Sequence, residues 1–215
     1  MKIVIFSDVH GNLIALEKFI KATKPVADSY ICLGDVVNYG PWNDECLQRV
    51  MELPQIILLE GNHERLFKGI VSVDHEIPLV KLFYIHSIRF FTRSDLIEFL
   101  PKHVEINGYC CTHTIENRSI FPDTEITVKN NFIIGHSHHQ YQIKRSNYSI
   151  VNPGSIGQNR RWINLIDYLV FDTTSSEFKF VSVEYDVDKF ISELKTRSYP
   201  PECIQYYQNK QRRHI

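Results

Sequence analysis

Short apolar runs, each followed by residues able to bind a metal ion, recur along this sequence of 215 residues. The runs and the residues that follow them are 2–6 with Asp8 and His10, 30–33 with Asp35, 56–59 with Asn62 and His63, and 132–134 with His136 and His138. Because the runs are short, rich in β-branched and aromatic residues, and lack alternation, they predict buried strands. An α/β sheet places its site at the ends of such strands. The pattern therefore predicts an α/β fold with a polar site along one edge.

Helices are predicted between the early strands. Apolar residues recur at helical spacing over residues 13–24, so the order strand, loop, helix, strand predicts a parallel pair with a right-handed crossover. Asp44 is the expected N-cap of a second helix, in which Cys46 and Leu47 are apolar. Residues 79–91 and 94–100 are further helical predictions, within a helical segment at about 64–101.

Strands dominate the second half of the chain. Asn107-Gly108 is a strong hairpin signal between two apolar runs, and strand patterns follow as far as Glu184. Asp188 opens a last helix, Pro200-Pro201 breaks it, and a polar tail follows, giving a C-terminal helical tail at about 188–215. We expect two packed sheets with helices outside, in a single domain over 1–215.

Composition excludes several classes of partner. The formal net charge is −1, so no overall field favours an extended nucleic acid or a membrane surface. The five cysteines are odd in number and lack CxxC spacing, which argues against a disulfide framework or a structural zinc site and favours a reducing cytoplasm. The N-terminal apolar run is too short for a signal peptide, and no run reaches the length of a membrane span.

The mixture of Asp, Asn and His without thiolate suits manganese, iron or zinc better than calcium. Side chains on separate strand ends can hold two ions if one carboxylate bridges them, and such a pair polarises a phosphoryl oxygen and activates water. Each motif alone has an ordinary explanation, since Gly-Asp suits turns and isolated histidines are common. The ordered set favours a metal site.

These motifs resemble the calcineurin-like metallophosphoesterases, in particular their small bacterial branch. The blocks that carry the resemblance are Asp8-Val9-His10, Gly34-Asp35, Gly61-Asn62-His63-Glu64, Thr112-His113, Gly135-His136-Ser137-His138 and Asn152-Pro153-Gly154-Ser155. The resemblance covers most of the chain and implies a four-layer αββα sandwich, with two mixed sheets flanked by helices, and two divalent or trivalent metal ions. It implies a first ion held by Asp8, His10, Asp35 and His138, and a second held by Asp35 as a bridge, Asn62, His113 and His136.

The resemblance also implies that His63 is the acid or the partner of the transition state. Glu64 stands where the family usually has Asp, which is thought to orient the adjacent histidine, so we expect Glu64 to orient His63 with a longer reach. Arg160 follows the Asn152–Ser155 turn and is a candidate phosphate clamp, whereas its alternative is a solvated surface residue. Tyr39 is a candidate for contact with substrate, with packing as the alternative.

The sequence therefore predicts a binuclear phosphoesterase in which metal-bound hydroxide attacks a small phosphoester or nucleotide, such as a phosphodiester or a dinucleoside polyphosphate. A phosphoprotein phosphatase is the second interpretation. A non-catalytic scaffold with the same fold is the third, and the complete set of ligands argues against it. The sequence leaves the native substrate, the metal and the oligomeric state open.

Overall fold

The computed structural model describes all residues, 1–215, as ten strands and six α-helices. The strands are β1 (Lys2–Phe6), β2 (Ser29–Cys32), β3 (Ile56–Leu58), β4 (His103–Ile106), β5 (Tyr109–Thr112), β6 (Asn131–Ile134), β7 (Gln140–Arg145), β8 (Tyr148–Pro153), β9 (Leu165–Asp172) and β10 (Glu177–Glu184). The α-helices are α1 (Leu13–Thr23), α2 (Asn43–Met51), α3 (Asn62–Phe67), α4 (Pro78–Ser87), α5 (Val187–Thr196) and α6 (Pro201–Gln208). None of these helices has the length and apolarity needed to span a bilayer.

The strands form two five-stranded sheets, both mixed. The first has the order β10-β9-β1-β2-β3, in which β1, β2 and β3 are parallel and the other pairs antiparallel. The second has the order β4-β5-β6-β8-β7, in which β5, β6 and β8 are parallel. The predicted parallel pair of the first two strands is present, and so is the predicted hairpin at Asn107-Gly108, where both residues have positive φ (43° and 77°) as a type I′ turn requires.

The two sheets pack face to face through alternate residues of their strands. Ile5 and Ile31 of the first sheet share one buried apolar cluster with Cys111, Ile133 and Val151 of the second. The other face of the first sheet belongs to a larger cluster of 33 buried residues, to which helices on that side contribute. The predicted architecture of two mixed sheets with helices outside is confirmed, and the helices that contribute to this cluster lie against the first sheet.

The outer face of the second sheet is covered differently. Ile120 and Val128, from the irregular segment between β5 and β6, pack there against Ile134, Tyr141 and Ile150 of the sheet. No helix lies in that segment. The covering layer on this side is thus irregular chain, fixed in part by the Tyr141 hydroxyl, which donates to the Ile120 carbonyl at 2.6 Å.

Two predictions in the first half were wrong in detail. The N-cap of α2 is Trp42, and the Asp44 side chain instead accepts backbone N–H bonds from Thr92 and Arg93. Residues 94–100 form only a short 3-10 helix, Ser94–Leu96. The Glu60 N–H donates to the Pro101 carbonyl at 2.8 Å. This hydrogen bond holds the chain at Pro101 beside the end of β3, so the residues before it do not continue as a helix.

The C-terminal region also differs from the prediction. Asp186, two residues before the expected position, caps α5 by accepting the Lys189 N–H at 2.9 Å. The predicted polar tail after Pro200-Pro201 contains a further helix, α6, which begins at Pro201. A proline at the first helical position is favourable because an N–H at that position would have no hydrogen-bond acceptor within the helix. Through the fully buried Tyr207, α6 joins the main core.

Candidate metal centre

The carboxyl ends of the parallel strands meet at one edge of the sandwich. The predicted polar residues follow β1 (Asp8, His10), β2 (Asp35), β3 (Asn62, His63), β5 (His113) and β6 (His136, His138). The structure brings the side chains of all eight into one contiguous group, with the contacts described below. Strand order alone makes this possible, because β1, β2 and β3 are adjacent in one sheet and β5 and β6 in the other.

The backbone at this edge is unusual. Asp8, His10, Asp35, His136 and His138 all have positive φ, between 51° and 66°. A non-glycine residue in this left-handed region costs about 1–3 kcal/mol and persists only when its surroundings hold it. Here they do so partly through hydrogen bonds between the two loops, since the N–H groups of Asp8 and His10 donate to the Gly34 and Asp35 carbonyls at 3.0 and 3.1 Å.

A glycine lets the second sheet approach this edge closely. A Cβ at Gly135 would lie 2.1 Å from the Ser7 hydroxyl oxygen and 3.1 Å from Asp8 Oδ2. On the same side, Asn152 Nδ2 donates to the Gly135 carbonyl at 2.8 Å, and the Ser155 hydroxyl donates to the Asp8 carbonyl at 2.8 Å. The Asn152–Ser155 turn therefore holds the loops that carry the Asp and His residues.

The first cluster contains Asp8, His10 and His138. The Nε2 atoms of His10 and His138 are 3.2 Å apart. Asp8 Oδ1 lies 3.3 Å from the Nε2 of His138 and 3.8 Å from the Nε2 of His10. Each ring uses Nδ1 to donate to a backbone carbonyl, His10 to Val37 at 3.2 Å and His138 to Gln158 at 2.7 Å. A carbonyl oxygen only accepts, so in the neutral rings Nδ1 bears the proton and both Nε2 atoms present lone pairs.

These three acceptors fit a bound cation. Asp8 Oδ1 is buried and has no hydrogen-bond partner, an arrangement that is costly for a carboxylate. Burial raises the pKa of Asp8 to about 7 and moves those of His10 and His138 well below their usual value, so both rings stay neutral and a proton can compete with the cation only at Asp8. Two donors about 2.1 Å from one ion, at angles of about 90–109°, lie about 3.0–3.4 Å apart, close to the spacings found.

The second cluster contains Asp35, Asn62, His113 and His136. His113 Nε2 lies 3.1 Å from Asp35 Oδ2 and 3.0 Å from Asn62 Oδ1, which is also 2.8 Å from His136 Nδ1. His113 Nδ1 donates to the Leu33 carbonyl at 3.0 Å, so its Nε2 again points at oxygen acceptors. Burial lowers the pKa of His113, but the Asp35 and Asp8 carboxylates outweigh it and raise the pKa to about 9. A proton thus takes the place that a cation would fill.

Asp35 lies between the two clusters. Its carboxylate falls within 4.8 Å of ring nitrogens of His113 and His136 on one side and of His10 and His63 on the other. Burial raises the pKa of Asp35, yet the neighbouring histidines, His113 foremost, lower it by more, so it stays well below its usual value. An ionised carboxylate shared by two sets of donors is the geometry that a bridging ligand requires.

His63 lies on the inner side of this group and is 5% exposed. Its Nε2 is 3.8 Å from Asp35 Oδ2, and its Nδ1 is 2.9 Å from the side-chain nitrogen of Asn38. Burial lowers the pKa of His63 below its ordinary value. Sequence reasoning did not find Asn38, since nothing in the motif Gly34–Gly40 indicates which side chain reaches a residue 25 positions away.

Glu64 does not orient His63, and that prediction was wrong. Its fully buried carboxylate accepts backbone N–H bonds from Asp35, Val36, Val37 and Gly61, at 2.7 to 3.3 Å. The side chain therefore ties the loop after β2 to the loop after β3. Its effect on the site is to hold the backbone from which Asp35 and Asn62 project.

The two residues predicted to contact substrate have different environments. Tyr39 is 5% exposed, and its ring packs against those of His10, His63 and Phe83 with centroids 4.7, 5.3 and 4.8 Å apart. This placement favours packing, the alternative that the sequence left open. Arg160 is half-buried beside the first cluster, where its charge helps to lower the pKa of His138 after the larger effect of burial.

A polar cleft of about 410 Å³ opens beside the second cluster. Its wall includes Asn62, His113 and His136, and no hydrophobic side chain. Arg65 and Lys102 also line it, and neither forms an ion pair. Sequence reasoning missed Lys102. A larger hollow of about 710 Å³ lies near β10 and contains none of the predicted site residues.

Comparison with known proteins agrees with this geometry. Residues 1–176 match the calcineurin-like phosphoesterase superfamily domain. The chain belongs to this superfamily. Members of the superfamily depend on metal, and the Asp and His clusters of this chain are able to bind metal.

Three relatives are similar over nearly the whole chain. An uncharacterised protein of Methanocaldococcus jannaschii is 28% identical over 238 residues, covering 92% of this chain and 93% of its own length. A metallophosphoesterase from Sphaerobacter thermophilus has a TM-score of 0.80 at 23% identity, covering 97% of this chain and 98% of its own. A hypothetical protein from Pyrococcus horikoshii OT3 has a TM-score of 0.81 at 17% identity, covering 96% and 97%. The two structures show that the fold is shared.

Proposed function

We propose that this protein is a binuclear metal-dependent phosphoesterase that hydrolyses a small phosphoester or nucleotide. The observation that carries the proposal is the convergence of oxygen and nitrogen acceptors in two adjacent clusters, with Asp35 of the second cluster also within 4.8 Å of His10 in the first. Asp8, His10, Asp35 and His138 would hold one ion. Asp35, Asn62, His113 and His136 would hold the other. The mixed donors suit manganese, iron or zinc.

Ions bound there would act as Lewis acids on a phosphoryl oxygen and lower the pKa of water. The residues of the chain supply positioning. The backbone carbonyls of Val37, Leu33 and Gln158 fix three of the imidazole rings by accepting their Nδ1 protons, which leaves each Nε2 free to bind metal. His63 presents its Nε2 toward the same space and would donate a hydrogen bond to negative charge that develops on the phosphoryl group or the leaving oxygen.

The surroundings of the centre support a small, polar substrate. The adjacent cleft has no hydrophobic wall, and it is lined by Arg65 and Lys102, by Glu116, and by Glu60, which Lys68 pairs. Arg160 on the other side would bind a phosphate oxygen. A phosphodiester or a dinucleoside polyphosphate meets these conditions. A phosphoprotein is the second candidate because the cleft is open to solvent, and a scaffold without catalysis is the third.

The experiment is metal reconstitution followed by a substrate panel. The metal-free protein is loaded separately with manganese, iron or zinc, its metal content is measured, and an aryl phosphodiester, an aryl phosphomonoester, a dinucleoside tetraphosphate and a phosphopeptide are offered. We expect about two ions per chain and turnover of at least one of the first three. Turnover of the phosphopeptide alone would select the phosphatase. Absence of any turnover with all three metals would contradict the proposal.

His63→Ala provides the discriminating variant. We expect it to keep both ions and to lose about 10²–10³-fold in kcat, the usual cost of removing a hydrogen-bond donor aimed at developing charge. Full activity in this variant would remove His63 from the proposal. The five free thiols support our further expectation of a reducing cytoplasm, and the buried cluster that joins the two sheets supports that of one domain over 1–215.

A further inference from the structure

Asn38 makes the only side-chain hydrogen bond to the His63 ring. Its Nδ2 lies 2.9 Å from His63 Nδ1, and both side chains are buried, Asn38 completely and His63 to within 5%. No carboxylate lies within hydrogen-bond distance of that ring nitrogen, since Glu64 is committed to four backbone N–H groups. The partner of His63 is therefore a neutral amide.

The orientation of this amide is fixed by its neighbours. Asn38 Oδ1 accepts the N–H of Tyr39 at 2.8 Å, so the other end of the amide, the NH2 group, faces His63. The Asn38 backbone is held as well, because its N–H donates to Asn43 Oδ1 at 2.8 Å. Exchanging the two ends of the amide would set its NH2 group against the Tyr39 N–H, donor against donor.

A donor facing His63 Nδ1 determines where the ring carries its proton. Nδ1 must accept, so the proton of the ring lies on Nε2, the atom that faces the centre at 3.8 Å from Asp35 Oδ2. A ring with hydrogen on both nitrogens would direct its Nδ1–H at the Asn38 NH2 group. This contact therefore selects a ring with a single Nε2–H, which donates a hydrogen bond.

We propose that Asn38 is a positioning residue that holds His63 as a hydrogen-bond donor through Nε2, and that the enzyme consequently favours substrates whose leaving group departs as an anion. This rests on the proposed function. In the reaction, the oxygen of water forms the new bond to phosphorus, and the bond to the leaving oxygen breaks with its electron pair on that oxygen. The proton released by water passes to solvent, while His63 stabilises charge and keeps its own proton.

The substrate class follows from the role of His63, which donates a hydrogen bond and keeps its proton. Phosphate and acidic phenols depart readily as anions, whereas an alkoxide must gain a proton as it leaves. A phosphoanhydride or an aryl ester thus needs only the hydrogen bond that His63 supplies. A simple alkyl ester needs a proton donor, which the Asn38 contact withholds.

The first test is a direct measurement of the ring. Protein labelled with ¹⁵N-histidine and loaded with zinc, which is diamagnetic, would be examined by long-range ¹H–¹⁵N NMR, with His63→Gln to assign the signal. We expect the proton of His63 on Nε2. A proton on Nδ1 would overturn the proposal. This measurement needs no turnover, so it separates failure of this inference from failure of the proposed function.

The second test is kinetic and uses Asn38→Asp, which keeps the shape of the side chain. One carboxylate oxygen can still accept the Tyr39 N–H, and the other can accept a proton from His63 Nδ1, which lets the ring act as an acid. Methyl aryl phosphodiesters with phenols of graded acidity report the need for a proton. We expect the rate to fall steeply with decreasing phenol acidity in the wild type and in His63→Ala, and less steeply in Asn38→Asp.

Metal content and melting temperature of Asn38→Asp serve as the control, since a merely structural change would alter these or all rates alike. Equal slopes in the wild type and Asn38→Asp, with metal content unchanged, would overturn the proposal. Faster hydrolysis of the least acidic phenol by Asn38→Asp than by the wild type would support it.

Discussion

His10 and His138 face each other with their Nε2 atoms 3.2 Å apart, and each ring donates its Nδ1 proton to a backbone carbonyl. Two lone pairs so close to one another and to the unpartnered Asp8 Oδ1 repel unless a positive charge lies among them. The fold therefore holds an electrostatic conflict that a cation resolves. The repulsion depends on both residues, because the Nδ1 hydrogen bond on the far side of each ring leaves its Nε2 lone pair facing the other ring.

Removal of one of these rings should release one ion. We expect His138→Ala to bind about one ion per chain where the wild type binds about two, because the first cluster loses its middle donor and the second keeps all of its own. Metal analysis after dialysis measures this directly. His103→Ala is a suitable control, since that histidine is exposed on β4 and should leave the metal content unchanged. Equal metal contents in wild type and His138→Ala would contradict the assignment of the first cluster.

Metal binding should also stabilise the fold. A ligand that binds only the folded state at about 100 times its Kd adds about 2.7 kcal/mol to the free energy of unfolding. We expect the wild-type melting temperature to rise on addition of manganese and to fall with a chelator, with a smaller rise for His138→Ala. Thermal unfolding at several manganese concentrations measures both. A wild-type melting temperature that does not change with manganese concentration would contradict the prediction that this site binds a metal ion.

The pH dependence of metal affinity follows from the groups that must lose a proton. Burial raises the pKa of Asp8 to about 7, and neighbouring carboxylates, against the effect of burial, raise that of His113 to about 9. Each proton competes with the cation, so affinity should increase as pH rises through these values, by about tenfold per pH unit for one displaced proton. Calorimetry in two buffers of different ionisation enthalpy measures the protons released. Affinity independent of pH would contradict this assignment.

Much of the fold and the centre could be predicted because local pattern decides them. Short apolar runs that end in Asp, Asn or His form strands whose carboxyl ends meet, so the ligand candidates are visible without knowing any contact. Helix α6 was missed because Pro200-Pro201 reads as a break, although Pro201 in fact begins a helix. The partners of Asn38 and Glu64 could not be predicted, since they depend on which way two loops face one another.

Glu64 should be a large contributor to stability. Its carboxylate accepts four buried N–H groups in two loops, so Glu64→Ala would leave these donors unsatisfied and lower the free energy of unfolding by about 3 kcal/mol or more. Glu64→Asp, shorter by one methylene, should reach one loop only and lose part of the metal affinity. Denaturant unfolding measures the first effect and calorimetry the second. The exposed Glu45→Ala is the matched control, expected within about 0.5 kcal/mol of wild type.

The cleft beside the second cluster should select for charge on the substrate. Arg65 lines it without an acidic partner, so a negatively charged leaving portion would gain a charge-assisted hydrogen bond there, worth about 1.5–3 kcal/mol. We expect Arg65→Ala to raise KM about tenfold or more for a dinucleoside polyphosphate, with a smaller change for an uncharged aryl leaving group. The exposed Arg89→Ala, which removes the same charge elsewhere, should leave both KM values unchanged. If Arg65→Ala and Arg89→Ala behaved alike, the cleft would not be the place where the leaving group binds.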